Sequence, residues 1–337
     1  MRTSRRTAEL MHFTPTVAVA LIVVAGVWGS AFPMIKIGLV DFSAPHFTLL
    51  RHLVASIAYL PLLLVSRARL VPRRRDLPHF ALLGILGFFV YHLALNFGST
   101  RVSAGAASLI IATAPAITAI VAAFLIRDRL PPLGWFGSAL SFAGISFIVL
   151  GDADAAGTAG ATAPAAALTG GFTVYAWFIV IAAVATAFFA VLQRPLFARY
   201  RPIEVAAFAT WSGTVPMLVF VPGIVEAVAA ASGGSLGAAI YSGVFPSAIA
   251  YTLFAFALSR ASATIVTAWL YIVPLFALLA AWLLLGEVPS ALTAVGGAVA
   301  IAGVVVLNLA KQRASRIAAS RADMVHAAET AAAPANP

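Results

Sequence analysis

The sequence contains no cysteine, which excludes disulfides, thiolate metal sites and cysteine nucleophiles. Charge is nearly as scarce. Only 9% of the 337 residues are Asp, Glu, Lys or Arg, where a soluble domain carries about 25%. Lysine occurs twice, at Lys36 and Lys311. Neither stands in the Gly-x-x-x-x-Gly-Lys-Ser/Thr setting of a phosphate-cradling loop, so nucleotide hydrolysis by that route is not expected. No His-Glu-x-x-His zinc motif occurs, and Ser212-Gly213 and Ser242-Gly243 lack the frame of a nucleophile elbow. These absences point away from an enzyme and give no metal or cofactor site.

What the chain has in abundance is apolar surface. Hydrophobic residues make up 62% of it, and the mean hydropathy is +1.01. Such a composition excludes a soluble enzyme, a disordered chain and a nucleic-acid-binding domain, and places the chain in a bilayer. Ten apolar stretches fall at 16–40, 43–65, 78–99, 102–125, 132–150, 170–193, 203–225, 235–258, 261–285 and 289–309. A spanning helix takes roughly 20 residues, and each stretch is close to that. Continuous apolar runs with Gly and Pro scattered through them read as helices rather than barrel strands. Arg2, Arg5 and Arg6 ahead of the first run resemble a signal peptide, but the run continues to Val40, longer than the apolar region of such a peptide. It is read as a spanning helix.

The basic residues fix a sidedness. With the N-terminus on the cytoplasmic side, eighteen of the 21 Lys and Arg residues fall on that side, at 2–6, 67–75, 127–129, 194–201, 260 and 311–321. Only Arg101 falls on the other, while Lys36 and Arg51 lie inside helices. Positive residues favour the cytoplasm, so both termini are expected inside and the number of helices even. The net charge of +10 thus reports membrane orientation rather than nucleic-acid binding. A multi-pass protein of the cell membrane follows, with the bilayer as its environment; a bacterial inner membrane is expected.

Sliding the chain on itself by 159 residues aligns 101–150 with 260–309 without a gap, with 12 identities in 50 pairs. Arg101 meets Arg260, Ser103 meets Ser262, Pro115 meets Pro274, Gly137 meets Gly296 and Gly144 meets Gly303. Two five-helix repeats follow, 1–150 and 170–310. Between them lies an Ala-, Gly- and Thr-rich linker, 151–169, expected to be flexible and external, and 311–337 reads as a cytoplasmic tail. Because five is odd, the second repeat crosses in the opposite sense to the first. The expected fold is an all-α integral membrane protein of ten transmembrane helices in two inverted repeats. Secondary transporters of this kind hold substrate between the repeats and expose it to each side in turn. Gly137, Gly144, Gly296, Gly297 and Gly303 recur two turns apart and let helices approach closely, either as seams within the chain or as the face of a homodimer.

Residues 28–36 read Trp-Gly-Ser-Ala-Phe-Pro-Met-Ile-Lys, followed by Pro45 and Arg51, Ser103-Ala104, Pro115 and Arg127-Asp128-Arg129. The second half repeats Ser262-Ala263, Pro274 and Gly286-Glu287. Over about 16–310 this order resembles EamA-like members of the drug/metabolite transporter superfamily. The resemblance implies export of small metabolites, with amino acids among the substrates of several members. The second half lacks counterparts of Trp28 and Arg51 and has Gly286 where the first has Arg127, so the halves are not equivalent at any site built on those residues.

The polar residues inside helices are the candidates for a substrate site. Lys36 lies near the outer end of the first helix. Arg51 lies about 12 Å deep in the second at 1.5 Å per residue. His92 and Asn96 are one turn apart on the third, and Ser108 lies in the fourth. This layer is cationic and polar, and all eleven acidic residues fall in loops, tails or helix ends. A buried cation needs a partner, so the layer is expected to receive a carboxylate or another anion. Trp28, Tyr91, Tyr251, Trp269 and Tyr271 are candidates to line the cavity beside it. Pro115 and Pro274 each free a backbone carbonyl at matching positions and are expected at interrupted, gating helices. Without a deep carboxylate, coupling to protons falls to His92, with uniport or exchange of a counter-substrate as the alternatives. A small-molecule carrier favouring amino acids or related carboxylates is the leading reading. Efflux of cationic drugs, transport of phosphorylated sugars and a non-transporting membrane role remain open beside it.

Overall fold

The computed structural model describes residues 15–125, 131–155, 171–260 and 269–332, and every regular element among them is helical. Helix α1 is Pro15–Gly38 and α2 is Ala44–Val65. The Ser43 side chain caps α2 by accepting from the His46 amide, 3.3 Å away, and a proline occupies the first turn, where its missing N–H costs nothing. The third rod begins with α3, Leu77–Gly84, loosens into a π turn over Ile85–Val90 and continues as α4, Tyr91–Ser99. Helix α5, Ala104–Ile111, is followed by α6, Ala114–Leu125, and α7, Pro132–Ala155.

The second half runs through α8 (Gly171–Leu192), α9 (Pro202–Met217) and the short α10 (Ile224–Ala230). Helix α11, Gly233–Ser242, again loosens into a π turn, Gly243–Ala250, before α12, Tyr251–Arg260. Helices α13, Val273–Leu285, and α14, Ala291–Ala332, complete the described residues. Nine helical segments among these residues are long and apolar enough to span a bilayer, and the apolar helix over Leu270–Leu285 is shorter. Residues 261–268 of the ninth expected stretch lie outside the described residues. Large apolar side chains on the outer faces, Val19, Ile57, Trp177 and Leu283 among them, are exposed, as a surface solvated by lipid tails would be.

The packing repeats with the sequence. The two π turns occupy matching places, and Gly84 and Gly243, just before or at their starts, are 159 residues apart. A Cβ on Gly84 would lie 2.4 Å from the Gly213 amide in α9, and one on Gly243 would lie 2.5 Å from the Arg51 carbonyl in α2. Helices α2 and α9 are themselves counterparts. Each repeat therefore presses its π-turn helix onto the second helix of the other. The same exchange pairs α1 with α11–α13 and α8 with α4–α6. It extends to the loops: Asp41 accepts from the Ser232 amide at 2.9 Å, and Tyr200, 159 positions on, accepts from the Arg73 amide at 2.9 Å.

Helices α7 and α14 meet along the small-residue seam. Cβ atoms on Gly144 and Gly303 would lie 2.4 Å from the Ala300 amide and 2.5 Å from the Gly137 carbonyl. The seam therefore serves packing within this chain.

Several boundaries differ from the sequence-based expectation. The stretch 102–125 is interrupted at Ala112–Thr113, because Pro115 cannot supply the amide a continuous helix would need. The stretch 203–225 ends its α-helix at Met217 and turns through a 3-10 segment, Leu218–Phe220. Residues 151–155 are helical rather than linker: Asp152 is buried and accepts from the Ser103 amide at 3.0 Å, tying down the end of α7. The remainder of the linker, 156–170, lies outside the described residues.

Candidate functional site

Arg51 is buried, at 3% exposure, where α2 of the first half meets the π turn of the second. Its surroundings follow from Pro246. Proline has no N–H, so the Ser242 carbonyl four residues earlier loses its helical partner. The Ser247 hydroxyl donates to that carbonyl at 2.8 Å. Its lone pairs are left free, and Arg51 Nη2 donates to it at 3.2 Å. Tyr59 OH donates to the Ser247 carbonyl at 2.8 Å and holds the turn from the other side. Arg51 Nε and Nη1 are buried and donate to nothing among the described residues. A guanidinium carries five N–H donors in a planar fork suited to a carboxylate. Here a large part of that fork is unspent.

A second set of polar groups lies beside it. Thr48 is one turn before Arg51 and His52 on α2. Its hydroxyl donates to the Ala44 carbonyl at 2.7 Å and accepts from Asn96 Nδ2 at 2.7 Å, which ties α4 to α2. His52 Nδ1 lies 2.8 Å from the Thr48 carbonyl, and the His52 and His92 rings are 4.4 Å apart. His92 Nδ1 lies 3.1 Å from the Phe88 carbonyl, and Tyr91 packs 4.6 Å from the His92 ring. Tyr91 and Tyr251 are within electrostatic reach of Arg51. Tyr251 stands 5.1 Å from the Trp28 ring and 5.7 Å from Phe88, while Trp28 donates Nε1 to the Pro246 carbonyl at 3.0 Å. Trp28, Arg51, Tyr91, His92, Asn96 and Tyr251 thus gather in one region between the two halves.

Four other candidates stand apart. Ser108 bonds back to the Gly105 carbonyl of its own helix at 2.7 Å. Trp269 packs with Val17, Leu21 and Ala257. Tyr271 is hydrogen-bonded to Asn308 of α14. Lys36 donates to the Val102 carbonyl at 3.2 Å, and it lines a cleft of about 280 Å³ with Arg101, Ser103, Asp152, Leu278 and Glu287. The expectation that no anion balances the cationic layer therefore fails at Lys36. Two carboxylates share its cleft, because helix ends distant in sequence meet there. Glu287 also accepts from the Ala104 amide at 2.8 Å, across the two halves. Partial burial pushes its carboxyl above the ordinary range, while Lys36 and the amides of Ala104 and Gly105 pull it down and Asp152 pushes it further up.

Pro115 and Pro274 each follow a helix interruption, at Ala112–Thr113 and at the 3-10 turn Leu270–Ile272. Both sit in the first turn of the helix that follows, where an amide is dispensable. Sequence reasoning missed His52, Ser247, Tyr59 and Thr48. The i, i+4 spacing of Thr48 and His52, flanking Arg51, was the available signal.

A model of the EamA-like transporter family matches residues 16–150 and again 173–309. The chain is 37% identical over 292 residues to a Streptantibioticus cattleyicolor protein named "Probable terminal-alkyne amino-acid exporter", covering 86% of this chain and 92% of that one. It is 35% identical over 292 residues to the "Uncharacterized transporter YdfC" of Bacillus subtilis, covering 87% and 90%. A solved structure described only as "Crystal structure of protein" superposes with a TM-score of 0.60 at 20% identity, covering 88% of this chain and 98% of that chain. That likeness shows the shared fold.

Proposed function

The chain belongs to the EamA-like transporter family, and from that premise we propose that it exports small metabolites carrying a carboxylate, amino acids above all. It works by alternating access between its two halves, in the cell membrane with both termini cytoplasmic. The observation that carries the reading is Arg51: a buried guanidinium between the halves with Nε and Nη1 unspent. A buried cation with free donors is completed by an anion. A carboxylate fits that fork, and the aromatic wall of Trp28, Tyr251 and Phe254 offers an apolar side chain somewhere to lie. The relative named as a probable amino-acid exporter supports the same substrate class.

The alternatives fare less well on the same residues. A cationic drug would meet a like charge at Arg51. A phosphorylated sugar calls for several cations, and Arg51 is the only buried Lys or Arg among the described residues. Orientation rests on charge. The loops at 66–76 and 194–204 meet at one end through Arg201 and Ser66, 2.7 Å apart, and through Arg199 and Asp76, 2.9 Å apart. This end carries most of the basic loop residues, as a cytoplasmic face does. Proton coupling through His92 or exchange of a counter-substrate is part of the proposal, since no carboxylate among the described residues lies beside Arg51.

The test is a metabolite profile of spent medium from cells overexpressing the wild type, Arg51→Ala or Arg51→Lys at equal membrane levels. Wild type is expected to enrich one or a few amino acids. Arg51→Ala should abolish that enrichment, and Arg51→Lys should recover little of it, because a point-charge ammonium does not reproduce the fork. Enrichment equal in all three would remove Arg51 from the transport site.

A further inference from the structure

The atoms around Arg51 offer acceptors as well as donors. We infer that Asn96 and His52 receive the α-ammonium group of the transported molecule, so that the site selects α-amino acids over acids that lack the amino group. The inference rests on the carboxylate role proposed for Arg51 and assigns the other half of the same ligand.

The orientation of the Asn96 amide follows from counting protons. Thr48 has one hydroxyl proton and gives it to the Ala44 carbonyl, 2.7 Å away. Toward Asn96 it can only accept, so the amide NH₂ faces Thr48 and Oδ1 is turned away. That Oδ1 is buried and has no hydrogen-bond partner among the described residues. His52 gives the same kind of result. Its Nδ1 lies 2.8 Å from the Thr48 carbonyl, which can only accept, so Nδ1 carries the hydrogen. When the ring is neutral, Nε2 is an acceptor, and that atom too is buried and without a partner among the described residues.

Two unpaired donors and two unpaired acceptors are therefore organised around a single stretch of α2. From Thr48 to His52 the helix axis advances about 6 Å. Buried polar atoms are normally paired, and four left unpaired on Arg51, His52 and the Asn96 that Thr48 holds suit a ligand bringing acceptors and donors at once. A carboxylate alone would satisfy Arg51 and leave Asn96 and His52 unpaired. A carboxylate and an ammonium on one carbon satisfy both sets. The neutrality of the acceptors is also informative. The other charged or titratable groups facing the region are Tyr59, Tyr91, His92 and Tyr251, with no carboxylate among them. Neutral acceptors hold an ammonium while leaving the guanidinium free.

The test uses purified full-length protein in nanodiscs and measures binding by calorimetry. The probes are L-leucine and L-phenylalanine, each beside the acid of the same carbon skeleton with no substituent at C2 (4-methylpentanoate and 3-phenylpropanoate), so that only the amino group is lost. Wild type should prefer the amino acids by roughly tenfold, since a site built to bond an N–H group rejects the analogue without it. Asn96→Leu and His52→Phe should each lower that ratio at least threefold. Arg51→Ala should lose both classes of ligand. Equal binding of the amino acids and of the acids without a C2 substituent by the wild type overturns this inference while the Arg51 reading stands. The same holds for a ratio unchanged in both acceptor variants. Failure of every probe to bind the wild type, or undiminished binding to Arg51→Ala, counts instead against the carboxylate reading and takes this inference with it. Should Asn96→Leu fail to insert, the wild-type ratio and His52→Phe decide.

Discussion

Arg51 makes one hydrogen bond to a side chain, while its remaining buried nitrogens are unpaired. For a chain selected only to fold, that arrangement is a poor one. Replacing a buried ion pair by apolar side chains of similar volume is often neutral or stabilising by about 1–4 kcal/mol, and a buried guanidinium with no counter-charge bears the same desolvation cost with less to offset it. Arg51→Met is therefore expected to raise the melting midpoint of the purified, substrate-free protein while abolishing transport. Tryptophan fluorescence during heating, beside an export assay, would read both. A lowered midpoint would mean that the guanidinium supports the fold and is not held in reserve for a ligand. Tyr59→Phe should act oppositely. It removes the bond to the Ser247 carbonyl, at a cost of about 0.5–1.5 kcal/mol. A midpoint unchanged by Tyr59→Phe would show that Tyr59 does not brace the turn. Depth along the helix made Arg51, His92 and Asn96 legible in the sequence. The direction each side chain takes around the helix axis was not legible, which is why Ser108 and Tyr271 proved to bond elsewhere and His52 went unnoticed.

At the scale of elements, the π turns do the positioning. Gly243 lets the turn carrying Pro246 and Ser247 come against the Arg51 backbone, where a Cβ would stand 2.5 Å from the carbonyl oxygen. Gly84 does the same for its turn against Gly213. Gly243→Ala must shift α2 or the turn, and overpacking of this kind typically costs about 1–3 kcal/mol. It should lower both the melting midpoint and transport. Gly237→Ala is the control: nothing lies within 4 Å of a Cβ there, and the exposed helical site should be neutral or slightly stabilising. If the two variants melt and transport alike, the close approach is not what places Arg51. Hydropathy had given the helices themselves, because a spanning segment must be apolar along its whole length. It could not give the π turns, which leave apolar content unchanged. The breaks before Pro115 and Pro274 were legible because proline forces them whatever the tertiary context.

At the scale of the whole molecule, the offset of 159 residues recovered from 101–150 and 260–309 governs much more of the chain than the identities alone revealed. Asp41 with Ser232 and Tyr200 with Arg73 keep the same hydrogen bond with unrelated side chains, so the geometry has outlasted the sequence match. One cross-half contact lies at the end opposite the basic loops. Glu287 of the second half accepts from the Ala104 amide of the first, beside Lys36, Arg101 and Asp152. Burial is the largest influence on its carboxyl and raises it above the ordinary value of 4.5. A carboxyl raised in the packed state binds its proton more tightly there than when the halves part and water reaches it. Its contribution to packing is therefore fullest below the ordinary value and is lost as pH rises through the raised one. The two halves should be held closer at this end at pH 5 than at pH 8. The chain has no cysteine, so spin labels placed at Arg101→Cys and Val288→Cys report this distance without background. The expected result is a shorter distance at pH 5 in the parent protein and a distance independent of pH once Glu287→Gln is added. A pH dependence that survives Glu287→Gln would assign the effect to Asp152 or another group in the cleft, and would leave Glu287 as a cap on α5 with no part in the parting of the halves.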